Sequence, residues 1–221
     1  MLQIEELLDL NHTIARDIFN DNDMIKVIKE LKMFIINLGI SLDDNYTKVG
    51  EDIWISKSAK VDASATIIGP CIIDHNTEIR KNAFIRGSVI VGKNCVIGNS
   101  CELKNALIFD NCQIPHFNYI GDSIMGYHSH IGAGVIVTNL KSDKSNVVIK
   151  GKDFRIETGL RKMGTIIGNY VEVGCNSTMF PGTVIYPNTI IYPLTRVRGI
   201  IPKNSIVKDE NSIVERRNIN E

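Results

Sequence analysis

Arg86 and Lys104 stand 18 residues apart, and a guanidinium and an ammonium held one above the other make a trap for an anion. Arg offers phosphate a bidentate fork and Lys adds a point charge. With no anion between them the two cations repel. Glu102, two residues before Lys104, offsets part of that repulsion, so a plain surface ion pair is the alternative reading. His116 directly follows Pro115, and an imidazole with an ordinary pKa of about 6.5 exchanges a proton near neutral pH. A zinc reading would need His116, His128 and His130 to meet across a subunit boundary, and no metal site is expected. His12 and His75 have no comparable surroundings and are expected to be structural or surface residues.

The elements that must position these groups are written in a six-residue period. Taking every sixth residue from 55 to 109 gives Ile55, Val61, Ile67, Ile73, Ile79, Ile85, Val91, Ile97, Leu103 and Phe109, all large and apolar. The position four later is mostly small or β-branched, as at Ala59, Ala65, Cys71, Thr77 and Ala83. The pattern resumes as Ile167, Val173, Met179, Ile185, Ile191 and Val197. A period of six matches neither the 3.6 of a helix nor hairpins spaced at 8–12 residues. It matches a parallel β-helix, in which each hexad is a short strand plus a turn and three hexads make one coil. Eighteen residues is then one full coil, which is what stacks Lys104 on Arg86.

Residues 1–50 lack the hexad. Ile4, Leu7, Leu8, Ile14, Ile18 and Phe19, then Met24, Ile25, Val27, Ile28, Leu31, Phe34 and Ile35, predict two amphipathic helices separated by Asp21-Asn22-Asp23. The expected division is a helical segment over 1–50, a β-helix over 51–208 and a tail over 209–221. The hexad slips between 109 and 131 and vanishes from Thr138 to Thr165. That insertion carries Lys141, Lys144, Lys150, Lys152, Arg155, Arg161 and Lys162 against Asp143, Asp153 and Glu157, or +4 in a chain whose formal charge is zero. An extended basic arm is expected there, able to reach an anionic ligand. Zero net charge excludes a general nucleic-acid or membrane-surface binder. No apolar run approaches the roughly 18 residues of a membrane span, and the acidic start Met1-Leu2-Gln3-Ile4-Glu5-Glu6 lacks the basic region of a signal peptide. With five cysteines and no paired C-x-x-C, the expectation is a cytoplasmic protein with reduced thiols.

Around the breaks the sequence becomes specific: His116-Phe117-Asn118-Tyr119-Ile120-Gly121-Asp122, then Ile131-Gly132-Ala133-Gly134 and Val137-Thr138-Asn139, with Ile97-Gly98-Asn99-Ser100-Cys101-Glu102-Leu103-Lys104 upstream. These strings resemble the acetyltransferase half of bifunctional glucosamine-1-phosphate acetyltransferase/uridylyltransferases. Gly159-Leu160-Arg161-Lys162-Met163-Gly164 is more similar to the archaeal sugar-1-phosphate nucleotidylyl/acetyltransferases. The resemblance covers about residues 50–208. It implies an all-β, left-handed parallel β-helix with an N-terminal α-helical segment, assembled as a homotrimer with sites between subunits.

It also implies an acetyl-CoA-dependent N-acetyltransferase for an amino-sugar phosphate (glucosamine-1-phosphate or galactosamine-1-phosphate) in nucleotide-sugar biosynthesis. Nothing in 1–50 resembles the nucleotidylyltransferase domain of the bifunctional enzymes. His116 matches the catalytic histidine, Tyr119 the tyrosine beside the sugar phosphate, and Arg86 and Lys104 the basic pair on the phosphate. Glu102 and Asn139 fall on active-site positions. Three departures stand out: His130 occupies the place of an asparagine at the amino sugar, Leu140 that of an aromatic residue, and Cys175 that of a serine near coenzyme A. Lys141, Lys144, Cys175, Arg196 and Arg198 are the expected coenzyme contacts. A non-catalytic sugar-phosphate-binding or regulatory protein of the same fold is the competing expectation.

Overall fold

The computed structural model describes residues 2–217. Its body is a left-handed parallel β-helix of short strands, each hydrogen-bonded to the strand one coil away. The coil has three faces. Face I carries Thr66–Ile68, Phe84–Arg86, Ile136–Val137, Thr178–Met179 and Arg196–Val197; face II carries Ile53–Ser56, Cys71–Ile73, Val89–Val91, Thr165–Ile167, Thr183–Ile185 and Ile200–Ile201. Face III carries Lys60–Val61, Glu78–Ile79, Val96–Asn99, Gln113–His116, His130–Ile131, Glu172–Val173, Ile190–Ile191 and Ser205–Asp209. Hexad residues Ile73, Ile79, Ile85, Val91, Ile97 and Leu103 fill the core with almost no solvent exposure.

Corners are turned by residues in the left-handed region. Between faces II and III these are Asn76, Asn94, Asn111, His128, Tyr170, Asn188 and Asn204; between III and I they are Asn82, Ser100, Phe117, Gly134, Asn176 and Leu194. Asparagine tolerates this conformation, whereas a bulky side chain there is uncommon and marks a strained position.

The slip in the repeat has a definite origin. Face-I strands keep an 18-residue register from Phe84 to Glu102, but Val89 pairs with Ala106 and Glu102 with Tyr119, a register of 17. One corner residue is missing at Asn105 and again at Asp122. Glu102–Ile108 and Tyr119–Met125 therefore run as single strands across a flattened corner between faces I and II. The core position on face II is in consequence Ile108, paired with Val91, and not Phe109. Phe109 instead packs edge-on against Phe19, ring centroids 6.0 Å apart.

Face II is covered. Its outward row reads Trp54, Ile72, Ile90, Leu107, Ile124, Ile166 and Val184, all buried. Each such side chain contributes about 1.5–3 kcal/mol when removed from water, enough to hold a helix down. Helix α1, Met24–Ile40, does this with Val27, Ile28, Leu31 and Ile35, and is capped by the Asp23 carboxylate accepting from the Ile25 and Lys26 amides. Gly39 lies on the Trp54 ring, where a Cβ would come within 2.4 Å. The first of the two expected helices is instead three 3-10 turns, Ile4–Glu6, Leu10–His12 and Arg16–Phe19. The Asp9 carboxylate takes the Asn11 amide and the Thr13 hydroxyl that of Ala15, local bonds that compete with helix.

Ends and insertion also differ in detail from the expectation. Tyr46–Gly50 is a strand antiparallel to Ile53–Ser56, so the segment before residue 50 ends on the solenoid itself. Ser212–Glu215 folds back antiparallel on Ser205–Asp209, so the tail from 209 belongs to the last coil through Glu215, while 218–221 lie outside the described residues. The insertion is not extended. Val148–Lys150 and Arg155–Glu157 form a hairpin folded against the late coils, with Val147 and Ile149 buried. Charge alone concealed that one side of it is apolar.

Candidate active site

Among the described residues no segment covers faces I and III, and they meet at the corner that holds His116. His116 ends the strand Gln113–His116 and pairs with Asn99. Its imidazole is exposed, and among the described residues no side chain bonds its ring. The backbone beneath is fixed: Asn118, buried, accepts from the His116 amide at 3.1 Å and donates to the Gly132 carbonyl at 2.7 Å. Phe117, the next residue, turns the corner at φ 53° with 60 % of its surface exposed. That exposed aromatic beside the histidine was not singled out by sequence reasoning, although it lies inside the quoted motif.

Backbone bonds stack Lys81, Asn99, His116, Ala133 and Cys175 in one column along this corner. Cys175 is exposed and stands two strands from His116, roughly 10 Å at the usual spacing. His130 is elsewhere. It lies on face III between Gln113 and Glu172, and its Nδ1 is 2.9 Å from a Glu172 carboxylate oxygen. Glu172 was invisible from sequence because the inserted hairpin sets the pair 42 residues apart.

The remaining groups lie on face I. Tyr119 pairs with Glu102, and Glu102 with Phe84; the 18-residue register sets Lys104 beside Arg86. Arg86 Nη1 donates to Glu102 Oε1 at 2.5 Å, so the surface pair foreseen as an alternative is present, with Lys104 half-buried alongside. Being exposed, this pair is worth little and can yield to a ligand. Tyr119 is half-buried, and burial, reinforced by the Asp122 and Glu102 charges, raises its phenol above the ordinary value. Asn139 Nδ2 donates to the Tyr119 hydroxyl at 3.2 Å. Gly121 explains the glycine of the motif: a Cβ there would stand 2.5 Å from that hydroxyl and 2.6 Å from Asn139 Nδ2.

The expected coenzyme contacts divide. Lys141 and Arg198 converge, with Lys150, on a cleft of about 170 Å³ floored by Phe180, Gly182 and Gly199. The Arg198 guanidinium lies 4.6 Å over the Phe180 ring. Arg196 is in the row Tyr119, Ile136, Thr178, Arg196, about 14 Å from Tyr119, and is paired to Glu210. Lys144 is on the exposed turn that leads into the hairpin and does not line the cleft. Among the described residues no group of three or more His, Cys, Asp or Glu is placed to hold a metal ion.

The profile described as "GMPPB C-terminal domain" matches residues 67–207. The chain belongs to that family. A bifunctional sugar-1-phosphate nucleotidylyltransferase/acetyltransferase of Sulfurisphaera tokodaii is 34% identical over 167 residues, 76% of this chain and 41% of the relative. The bifunctional protein GlmU of Methanococcus maripaludis is 34% identical over 147 residues, 65% of this chain and 32% of the relative. The chain thus spans less than half the length of either. A crystal structure of a UDP-N-acetylglucosamine acyltransferase aligns with 71% of each chain at 16% identity and TM-score 0.47, a likeness too distant to bear on function. The similarity to bifunctional sugar-phosphate enzymes agrees with the resemblance carried by the His116–Asp122 motif.

Proposed function

We propose that this chain is an acetyl-CoA-dependent N-acetyltransferase acting on an amino-sugar phosphate, glucosamine-1-phosphate or galactosamine-1-phosphate, in cytoplasmic nucleotide-sugar biosynthesis. The observation that carries the reading is the exposed His116 at a corner whose adjoining face bears Tyr119, Glu102, Lys104 and Arg86. His116 takes the proton of the sugar ammonium. The freed amine attacks the thioester carbonyl, the thiolate that leaves recovers a proton from the imidazolium, and the attacking nitrogen loses its second proton to water as the amide forms. Arg86, released from Glu102, and Lys104 hold the phosphate, while Tyr119 and Asn139 orient the sugar. The Lys141–Arg198 cleft takes phosphates of coenzyme A. His130, paired to Glu172, supplies the contact at which sugar preference is set.

The assembly is a homotrimer. Among the described residues nothing covers faces I and III, which share the His116 corner, and no side chain bonds the imidazole. Three prisms with these corners inward bring face I of one against face III of the next, which closes the site. The deciding experiment is thiol release from acetyl-CoA with each amino-sugar phosphate, for the wild type and His116→Ala. A loss of about 10²–10⁴-fold in kcat, with acetyl-CoA still bound, is the expected result. Wild-type protein that binds the sugar phosphate and releases no thiol would make it a binding or regulatory protein instead.

A further inference from the structure

Asn105, Asp122 and Asn139 recur at intervals of 17, the shortened coil, and so form a column at the flattened corner. Asp122 is 6 % exposed and sits between two amides. Asn105 Nδ2 donates to its Oδ1 at 2.8 Å, and Asn139 Nδ2 donates to its Oδ2. Both outer members reach further. Asn105 Nδ2 also donates to the carbonyl of Ile28 in α1 at 3.1 Å, and Asn139 Nδ2 to the Tyr119 hydroxyl at 3.2 Å. The main chain adds two ties to the end of the basic insertion: Gly164 N to Asp122 O at 2.8 Å and Met163 N to Asn139 O at 3.0 Å.

We propose that Asp122 is a positioning residue, a carboxylate clamped between Asn105 and Asn139 that fixes the Tyr119 hydroxyl and the root of the basic hairpin against the N-terminal helix. The chemistry requires a carboxylate. An ionised Asp accepts on both oxygens, so it satisfies amide donors on two sides at once. An Asn in its place turns an NH₂ toward one of the neighbouring NH₂ groups, and one arm of the clamp fails. Asn105 (φ 47°) and Asp122 (φ 48°) each turn alone a corner that Gly87 and Ser88 turn together one coil earlier, so the slip in the repeat is what builds the column. Asp122 spends both carboxylate oxygens on the two amides. It acts through Asn139 and Tyr119.

The kinetic part of this inference rests on the acetyltransferase reading; the spectroscopic part does not. The test uses the full chain as wild type, Asp122→Asn and Asn105→Ala, each also with Tyr119→Phe, so that the ultraviolet titration of Tyr119 is obtained by difference. Because the Asp122 charge helps to hold the Tyr119 phenol up, Asp122→Asn is expected to move that titration to lower pH, whereas Asn105→Ala, which keeps the charge, leaves it in place. In the acetyl-transfer assay Asp122→Asn loses about tenfold to a hundredfold in kcat with little change in KM for acetyl-CoA, the scale expected of an ångström of misplacement. Asn105→Ala loses a smaller factor. If Asp122→Asn does not fold, a lowered kcat in Asn105→Ala with an unmoved Tyr119 titration still supports the clamp, and an unchanged kcat overturns it. A folded Asp122→Asn whose Tyr119 titrates as in the wild type also overturns it, whether or not any acetyl transfer is detected. Absence of transfer in the wild type alone removes the proposed reaction and leaves the clamp to the titration.

Discussion

Replacing Gly121 by alanine places a methyl group 2.5 Å from the Tyr119 hydroxyl, 2.6 Å from Asn139 Nδ2 and 2.9 Å from Tyr119 Cζ. Ordinary contact begins at 3.4 Å, so the phenol must retreat by about 0.9 Å or the strand must shift. Tyr119 is half-buried on an uncovered face and can swing outward, so the fold should lose only about 1–3 kcal/mol, the usual cost of overpacking. Position is another matter. An ångström of misplacement costs about a hundredfold in rate, and the displaced hydroxyl also leaves Asn139 without one of its partners. Gly121→Ala should therefore be folded, slightly less heat-stable, and down about a hundredfold in kcat/KM for acetyl transfer. Thermal unfolding by circular dichroism and thiol release from acetyl-CoA read the two quantities separately. Full turnover in a well-folded Gly121→Ala would refute the placement of Tyr119 in the site.

Arg86→Ala and Lys104→Ala should raise KM for a phosphorylated amino sugar and spare the unphosphorylated one; equal losses on both substrates would exclude a phosphate clamp. Glu102→Gln frees Arg86 from its 2.5 Å partner and should lower KM for the phosphorylated sugar, as steady-state kinetics at low ionic strength will show. Arg198→Ala should weaken acetyl-CoA binding measured by calorimetry, and the wild-type affinity should fall with salt as exposed charges are screened over about 8 Å. Asp110, half-buried and near Asp74, is raised by burial, so the folded state holds its proton more tightly than the unfolded chain. Its contribution to stability falls as pH rises from the ordinary carboxylate value through the raised one, and denaturation midpoints across that window should fall less steeply in Asp110→Asn.

Much of this architecture was legible because a solenoid writes its core into a fixed period. Ile73 to Leu103 are buried in the order the hexad gives. What escaped was a matter of one residue. The count of six placed Phe109 in the core, but the shortened corner at Asn105 gives that place to Ile108 and sends Phe109 to Phe19. The apolar outward row from Trp54 to Val184 was present in the sequence, and it announces a covered face once the coil register is known. The hairpin was read by its charge, which says nothing of the side that Val147 and Ile149 bury. His130 and Glu172, and likewise Asn105, Asp122 and Asn139, come together only through coil stacking, which no local pattern displays. The site motif was the opposite case. Its residues are close in sequence because one short stretch of chain turns the corner at Phe117 and runs along face I to Asp122.

The two irregularities of the repeat therefore have one physical meaning. A perfect 18-residue coil would carry a second corner residue beside 105 and beside 122, as Gly87 and Ser88 do one coil earlier, and keep faces I and II apart. Dropping one residue from each of two successive coils aligns Asn105, Asp122 and Asn139, and α1 packs on both flattened strands, Glu102–Ile108 and Tyr119–Met125. Restoring the lost corner gives a direct trial of this view. A glycine inserted after Asn105 returns that coil to 18 residues. The core should survive, because Leu103 precedes the insertion and Ile108 regains the position six beyond it. The Asn105–Asp122 bond should break, however, and α1 should lose its tie through Ile28. Hydrogen exchange should then speed in α1 around Ile28 while the strands of face III, far from the insertion, stay protected. Unchanged protection in α1 would show that the apolar face alone holds the helix, and that the shortened corner serves Tyr119 without it.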